Sequence, residues 1–236
     1  MPDIPAIQLN RLTKCFDKVT ACDSIDLTVR RGEILALLGE NGSGKTTLTN
    51  MLSGIYQPNS GQILLDGKPV RIRSPRDAIR LGIGMIHQHF KLVEVLTARE
   101  NILLGQAGML KVKPEDAARG MGLLVDLDRK VYDMSVSEKQ AVEILKVLCR
   151  GADKLILDEP TAVLTPQEIQ NLFDTLRVMR REGKAIIIIT HKLEEVMEIS
   201  DRVSVLRKGV NVGTVSTAET DRFSLTELMV GRPVDL

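Results

Sequence analysis

Gly39-Glu40-Asn41-Gly42-Ser43-Gly44-Lys45-Thr46-Thr47 is the stretch on which the fold turns. It fills every specified position of the pattern G-x-x-x-x-G-K-[ST]. Upstream, Ile34-Leu35-Ala36-Leu37-Leu38 is a short, wholly apolar run that reads as a buried strand. Downstream, Thr46-Thr47-Leu48-Thr49-Asn50-Met51-Leu52 reads as a helix that stops near Gly54. Strand, glycine-rich loop and helix in that order form the context in which the pattern holds phosphate. The glycines let successive backbone N–H groups turn inward on a polyphosphate, and the helix N-terminus adds its partial positive charge. Gly39, Glu40, Asn41, Gly42, Ser43, Gly44, Lys45, Thr46 and Thr47 are therefore the expected triphosphate cradle. Lys45 is expected on the β- and γ-phosphates, and the Thr46 hydroxyl on Mg²⁺.

Working outward, Lys154-Leu155-Ile156-Leu157-Asp158-Glu159 is a second apolar run, and it ends in two carboxylates. Asp158 is expected to hold Mg²⁺, directly or through water. Glu159, one residue further out, is placed to polarise an attacking water. Alone, the string also fits a strand end with two solvated acids; beside a phosphate loop that reading recedes. His191 follows the run Ile186-Ile187-Ile188-Ile189-Thr190, where an imidazole can sense a γ-phosphate by hydrogen bonding. Gln88 lies just past Met85-Ile86, and its amide suits either ligation of Mg²⁺ or orientation of water. His87 and His89 flank it. With no further ligand cluster nearby in sequence, they are not taken as a metal pair.

The charge is almost balanced, 32 basic against 31 acidic residues, so nothing points to a nucleic-acid partner. Cys15, Cys22 and Cys149 lack metal-ligand spacing and suit buried thiols in a reducing compartment. The longest apolar runs, such as Ala185 to Ile189, fall far short of the ~20 residues of a membrane span. Met1-Pro2-Asp3-Ile4-Pro5 lacks the basic and apolar regions of a signal peptide. A membrane role would therefore come through a partner.

Ile7-Gln8-Leu9 and Ile25 to Val29 alternate as antiparallel strands do, and Gln62 to Leu65 followed by Asp66-Gly67 predicts a hairpin. Leu155 to Leu157 and Ile186 to Ile189 have no polar face and belong in a sheet covered on both sides. Thr97/Glu100, Ser135/Glu138, Thr165/Glu168 and Ser224/Glu227 have the spacing of capping boxes, and Pro75 and Pro166 each follow a capping residue. Residues 97–150 are mostly helical in pattern.

The ordered set of phosphate loop, Gln88, a serine-containing segment at Ser135, Leu157-Asp158-Glu159 and His191 resembles the ATPase domain of ABC transporters over essentially the whole chain. Ile83-Gly84-Met85-Ile86-His87-Gln88-His89-Phe90 and Glu159-Pro160-Thr161-Ala162-Val163-Leu164-Thr165-Pro166-Gln167-Glu168 narrow the likeness to importers of simple sugars and nucleosides, the His-Gln-His-Phe form leaning to nucleosides. The resemblance implies an α/β fold: a P-loop NTPase core with a mixed sheet, an antiparallel β subdomain and an inserted helical lobe. It implies one domain over 1–236, with the core at 1–90 and 151–236 and the lobe at 91–150. It implies ATP and Mg²⁺ as cofactors, adenine stacked on Phe16, and Mg²⁺ held by Thr46, Gln88 and Asp158. Glu159 would be the base and His191 the switch histidine, with Lys45 and Gln88 completing the catalytic set. Ser135 would serve the nucleotide of a facing domain in a head-to-tail dimer.

The expected partners are a second such domain, in a homodimer or a fused tandem, and transmembrane permease subunits, with a solute-binding protein acting indirectly. The expected place is the cytoplasmic face of the cell membrane. In the resembling importers two domains are commonly fused, and Met229 to Leu236 falls about where a first domain ends. An excised first half and a single-domain subunit both remain open.

The usual signature Leu-Ser-Gly-Gly-Gln is Met134-Ser135-Val136-Ser137-Glu138 here. Val136 is expected to hinder close backbone approach. Glu138 would bring negative charge towards a phosphate unless it closes the capping box. Thr165 replaces an aspartate, and the segment from Glu100 to Ser135 is short for the lobe. Two rivals stand beside a transport ATPase: a related ATPase acting on ribosomes or DNA, and a nucleotide-binding module with little turnover.

Overall fold

The wholly buried strand β3 (Ile34–Leu38) is the centre of the molecule. The structure is a computed structural model describing residues 4–105 and 110–232. Met1-Pro2-Asp3 and Pro233-Val234-Asp235-Leu236, on which the readings of the two chain ends partly rest, lie outside the described residues, as do residues 106–109 of the helical stretch.

Strands β1 (Ile7–Phe16) and β2 (Val19–Val29) form a long hairpin, and β4 (Ser60–Leu65) and β5 (Lys68–Val70) a short one. Together they make an antiparallel sheet in the order β2-β1-β4-β5. Strand β6 (Ile83–Ile86) precedes β7 (Lys154–Asp158), β8 (Ala185–Ile189), β9 (Arg202–Arg207) and β10 (Val210–Ser216). With β3 these build a six-stranded sheet, β10-β9-β3-β8-β7-β6, parallel except at the β10 edge. The sheet is mixed, as expected.

Side-chain alternation explains why β3 and β8 carry no polar face. Leu35, Leu37, Ile187 and Ile189 enter a core shared with helix α1 (Lys45–Leu52) and the antiparallel sheet. Ile34, Ile186 and Ile188 pack on the opposite side against α6 (Pro166–Arg181), while Ala36 and Leu38 meet α7 (Leu193–Ile199) and α8 (Arg222–Val230). A strand covered on both faces is satisfied only by apolar residues at every position.

The stretch from 97 to 150 holds α3 (Ala98–Leu103), α4 (Pro114–Met121) and α5 (Val136–Cys149). It is less helical than its pattern predicts. Residues 122–135 contain only a single 3₁₀ turn at Val131–Asp133. Helix α5 has two apolar faces. Val142, Leu145 and Cys149 pack with α3 and α4, and Ile144, Val147 and Leu148 pack on the main sheet.

Three of the four expected capping boxes form, at Thr97, Ser135 and Thr165. Ser74 caps α2 (Pro75–Arg80), with Pro75 at its first position. The fourth box does not form. Asp221 caps α8 instead, its carboxylate accepting from the Ser224 N–H at 2.7 Å, so the helix starts three residues earlier. An aspartate at that point competes directly with the serine for the same role. Cys22 and Cys149 are buried thiols as expected, whereas Cys15 is only half-buried.

Candidate nucleotide site

The loop after β3 presses against the sheet. A side chain on Gly39 would meet the Leu206 carbonyl at 2.3 Å, and one on Gly44 the Ala21 carbonyl at 2.6 Å. Gly44 has φ +106° and caps α1 with no side-chain hydrogen bond and no acid in the first turn. The helix N-terminus is thereby left to whatever anion the loop encloses. Lys45 is buried and folds back, donating from Nζ to the Gly39 carbonyl at 2.6 Å and the Glu40 carbonyl at 2.9 Å.

Asn41, Gly42, Gly44, Lys45, Thr46, Thr47, Gln88, Asp158, Glu159 and His191 line one cleft of about 540 Å³. Gly39 and Ser43 lie buried in the loop, and Glu40 is exposed beside them. Residues 150 positions apart, Asn41 and His191, thus converge because β3, β8 and β7 are neighbours whose C-terminal ends open on one side. Ala21, from β2, also lines the cleft. Sequence reasoning passed over it, and nothing in its residue type marks it.

Glu159 leaves β7 with φ +46°, a left-handed conformation that a non-glycine residue holds only when its surroundings enforce it. Its N–H donates to the Ile189 carbonyl at 2.9 Å, and its carbonyl accepts from Ala162 at 3.2 Å. Its Oε1 lies 2.8 Å from His191 Nδ1. Burial raises the Asp158 pKa above the usual carboxylate range, and the Glu159 charge adds to this against His87 and Lys45. Burial lowers the Lys45 ammonium, against the pull of Glu159 and Asp158. Adjacent carboxylates beside a desolvated cation are the condition in which a bound cation and a phosphate relieve the most charge strain. His87, which sequence reasoning did not place in the site, belongs to this field. Burial lowers its pKa, with Lys91 and Lys146 acting the same way and Glu143 and Asp158 opposing.

Among the described residues, Ser43 Oγ and Glu159 Oε2 are buried side-chain atoms without a hydrogen-bond partner. Such atoms cost about 1–3 kcal/mol each unless something polar reaches them. Both belong to the loop and carboxylate that frame the cleft. The hard oxygen donors of Thr46, Gln88 and Asp158 suit Mg²⁺, which completes its shell with phosphate and water. The residues present therefore fit a magnesium nucleotide.

Two expected nucleotide contacts stand apart from the cleft lining. Phe16, exposed at the end of β1, meets Tyr56 edge-on with ring centroids 5.1 Å apart, and Lys14 Nζ lies 5.0 Å from its ring centre. Ser135 caps α5 on an exposed surface. There the expected intrusion of the Glu138 charge is offset. Its Oε2 accepts from the Ser135 N–H at 2.7 Å, and its Oε1 pairs with Arg129 at 2.8 Å. Val136 remains exposed.

A strand–phosphate loop–helix unit facing an Asp-Glu pair on a parallel strand defines a P-loop NTPase fold. The family model described as ABC transporter matches residues 22–162. The chain is 45% identical to the glucose import ATP-binding protein TsgD13 of Haloferax volcanii, over 98% of this chain and 48% of that protein. It is 49% identical to the guanosine import ATP-binding protein NupO of Bacillus subtilis, over 97% of this chain and 46% of that one. Among solved structures, cbiO1 from Clostridium perfringens, part of the ABC transporter complex cbiONQ, superposes with a TM-score of 0.81 at 29% identity, covering 96% of each chain. The chain belongs to the ABC transporter family. It spans about half the length of the curated relatives it matches.

Proposed function

We propose that this chain binds and hydrolyses MgATP and thereby powers import of a simple sugar or nucleoside through separate membrane subunits. The convergence of Lys45, Thr46, Gln88, Asp158, Glu159 and His191 on one cleft carries the reading. Loop amides and Lys45 stabilise phosphoryl charge. Thr46, Asp158 and Gln88 would hold Mg²⁺, which would supply positive charge against the phosphates. Glu159, oriented by His191, takes the proton of the attacking water. The exposed ring of Phe16 stacks on adenine.

One ABC domain over 1–236, with a core at 1–90 and 151–236 and a lobe at 91–150, is the division we adopt. The partner that completes each site is a second cassette, on another copy or in the same polypeptide, whose phosphate-bound nucleotide meets the exposed cap at Ser135. The likeness to import ATP-binding proteins supports permease partners and a peripheral place on the cytoplasmic face of the membrane. A groove of about 190 Å³ lined by Ile55, Ala78, Ile79, Met85 and Val147, among others, offers such a partner an apolar seat. Among the described residues no helix is long and apolar enough to cross a membrane.

The test compares wild type with Glu159→Gln for ATP affinity and phosphate release. Retained affinity with turnover reduced by about 10²-fold or more is expected, since the amide is a poor base. Near-normal turnover in the variant would remove Glu159 from the role.

A further inference from the structure

Helix α5 carries two polar residues, Gln140 and Glu143, each only 4% exposed, in a surface otherwise given to Ile144, Val147 and Leu148. They lie three residues apart, hence on one face of the helix. Buried polar groups at an apolar interface persist where they are fully partnered. The partners here are loops of the candidate site. Gln140 Nε2 donates to the Pro160 carbonyl at 2.7 Å, immediately beyond Glu159. Glu143 Oε1 accepts from the Lys91 N–H at 2.6 Å, three residues beyond Gln88. Lys146 closes the second contact, donating from Nζ to the Lys91 carbonyl at 2.9 Å and to Glu143 Oε2 at 3.2 Å. Lys91 is thus gripped at both its N–H and its carbonyl.

We propose that Gln140 and Glu143 are positioning residues for the hydrolytic reaction: Glu143, with Lys146, sets the reach of Gln88 towards the metal, and Gln140 sets the turn that aims Glu159. The inference rests on the reading of the cleft as a MgATP site. The Gln88 loop is otherwise held at its far end, where Asn101 Oδ1 accepts from the Val93 N–H at 2.7 Å and Asn101 Nδ2 donates to the Val93 carbonyl at 3.0 Å. Gln88 and His89 are exposed, and residues 87–93 form no helix or strand. A loop of that kind takes its position from the groups that hold its backbone. The Glu159 turn is strained at φ +46°, and its neighbour Thr161 is pinned from α7 by Glu195, Thr161 Oγ1 donating to Glu195 Oε2 at 2.6 Å. Gln140 supplies the matching hold from α5. The same helix begins at Ser135, so displacement of its N-terminus by a facing cassette moves both holds together.

The full chain is tested with three substitutions. Nucleotide affinity is measured by calorimetry with Mg²⁺ and with EDTA, and turnover is measured alongside. Glu143→Gln keeps an acceptor for Lys91 but loses the charge that holds Lys146. It should leave affinity in EDTA unchanged and reduce the gain in affinity on adding Mg²⁺ at least threefold. Exchange of the Lys91 amide should speed up by about tenfold. Gln140→Leu should lower kcat at least tenfold while the Mg²⁺-dependent gain stays within twofold of wild type. If Glu143→Gln does not fold, Lys146→Met breaks the same clamp from its other end and is read in the same way. A merely structural role predicts lower Tm with unaltered Mg²⁺ response and kcat, and that outcome overturns the proposal. Failure of wild type to hydrolyse ATP, or full activity in Glu159→Gln, would instead defeat the reading of the site itself.

Discussion

The N-termini of α1 and α5 are built on opposite plans. At α1 the capping residue is Gly44, with no side chain to give and no acid in the first turn. At α5 the cap is Ser135, and Glu138 closes the box and is itself paired with Arg129. Both ends have the same orphan N–H groups and the same partial positive charge. One leaves them for a ligand, and the other satisfies most of them internally. A helix end that encloses an anion must forgo its own cap. A helix end that meets an anion only when a partner arrives must be stable in the partner's absence. On the proposed reading, the contact that a partner's phosphate would replace at α5 is the one of 3.3 Å between Ser135 Oγ and the Glu138 N–H.

The largest effect falls at the open end. Lys45→Ala should abolish measurable hydrolysis and weaken ATP binding, since it deletes the cation of the loop. Detectable turnover at a tenth of the wild-type rate would break the assignment of α1 as the nucleotide end. Gly44→Ala comes next. The added Cβ meets the Ala21 carbonyl at 2.6 Å in a left-handed conformation, so the loop must shift. ATP affinity should fall at least tenfold by calorimetry, and an unchanged affinity would show that the loop tolerates repacking.

At the closed end the isolated chain should respond in stability rather than in binding. Ser135→Ala is expected to cost roughly 0.5–2 kcal/mol in denaturant unfolding, with ATP affinity of the monomer unaltered. A loss of affinity in the monomer would mean that Ser135 serves its own cleft. The smallest effects separate the two departures in the signature. Glu138→Gln should change turnover of a verified dimer less than twofold, because the carboxylate is already engaged with Arg129 and the Ser135 amide. Val136→Gly should raise it a few-fold by admitting closer backbone approach. The reverse order would show that charge, not bulk, governs this surface.

How much was legible in advance follows the same division. The phosphate loop, the flanking strand and helix, the apolar strands β7 and β8 and three of four capping boxes were readable because each is local: a few consecutive residues carry the whole physical requirement. The eighth helix shows the limit. Asp221 and Ser224 are both good caps, and the choice between them depends on how α8 packs against β9 and α7, through Leu225 with Val205 and Val196. The same limit hid the irregular structure of residues 122–135, whose mixed apolar and polar pattern does not distinguish a helix from a chain tied down by pairing of Lys130 with Thr97.

Residue types and spacings by themselves determined the family and marked the candidate phosphate cradle and the candidate metal and base carboxylates, because the chemistry of a polyphosphate demands those groups in that order. Tertiary structure alone decided that Glu138 is paired rather than free, that Phe16 rests on Tyr56, that Ala21 lines the candidate cleft while His87 lies in the field of Asp158, and that Gln140 and Glu143 hold the two loops beside it. Those contacts join residues tens of positions apart, on strands and helices whose adjacency is set by burial of the two faces of the sheet. Burial fixes adjacency through the sum of many non-directional contacts, so no short segment records which distant side chain it will meet.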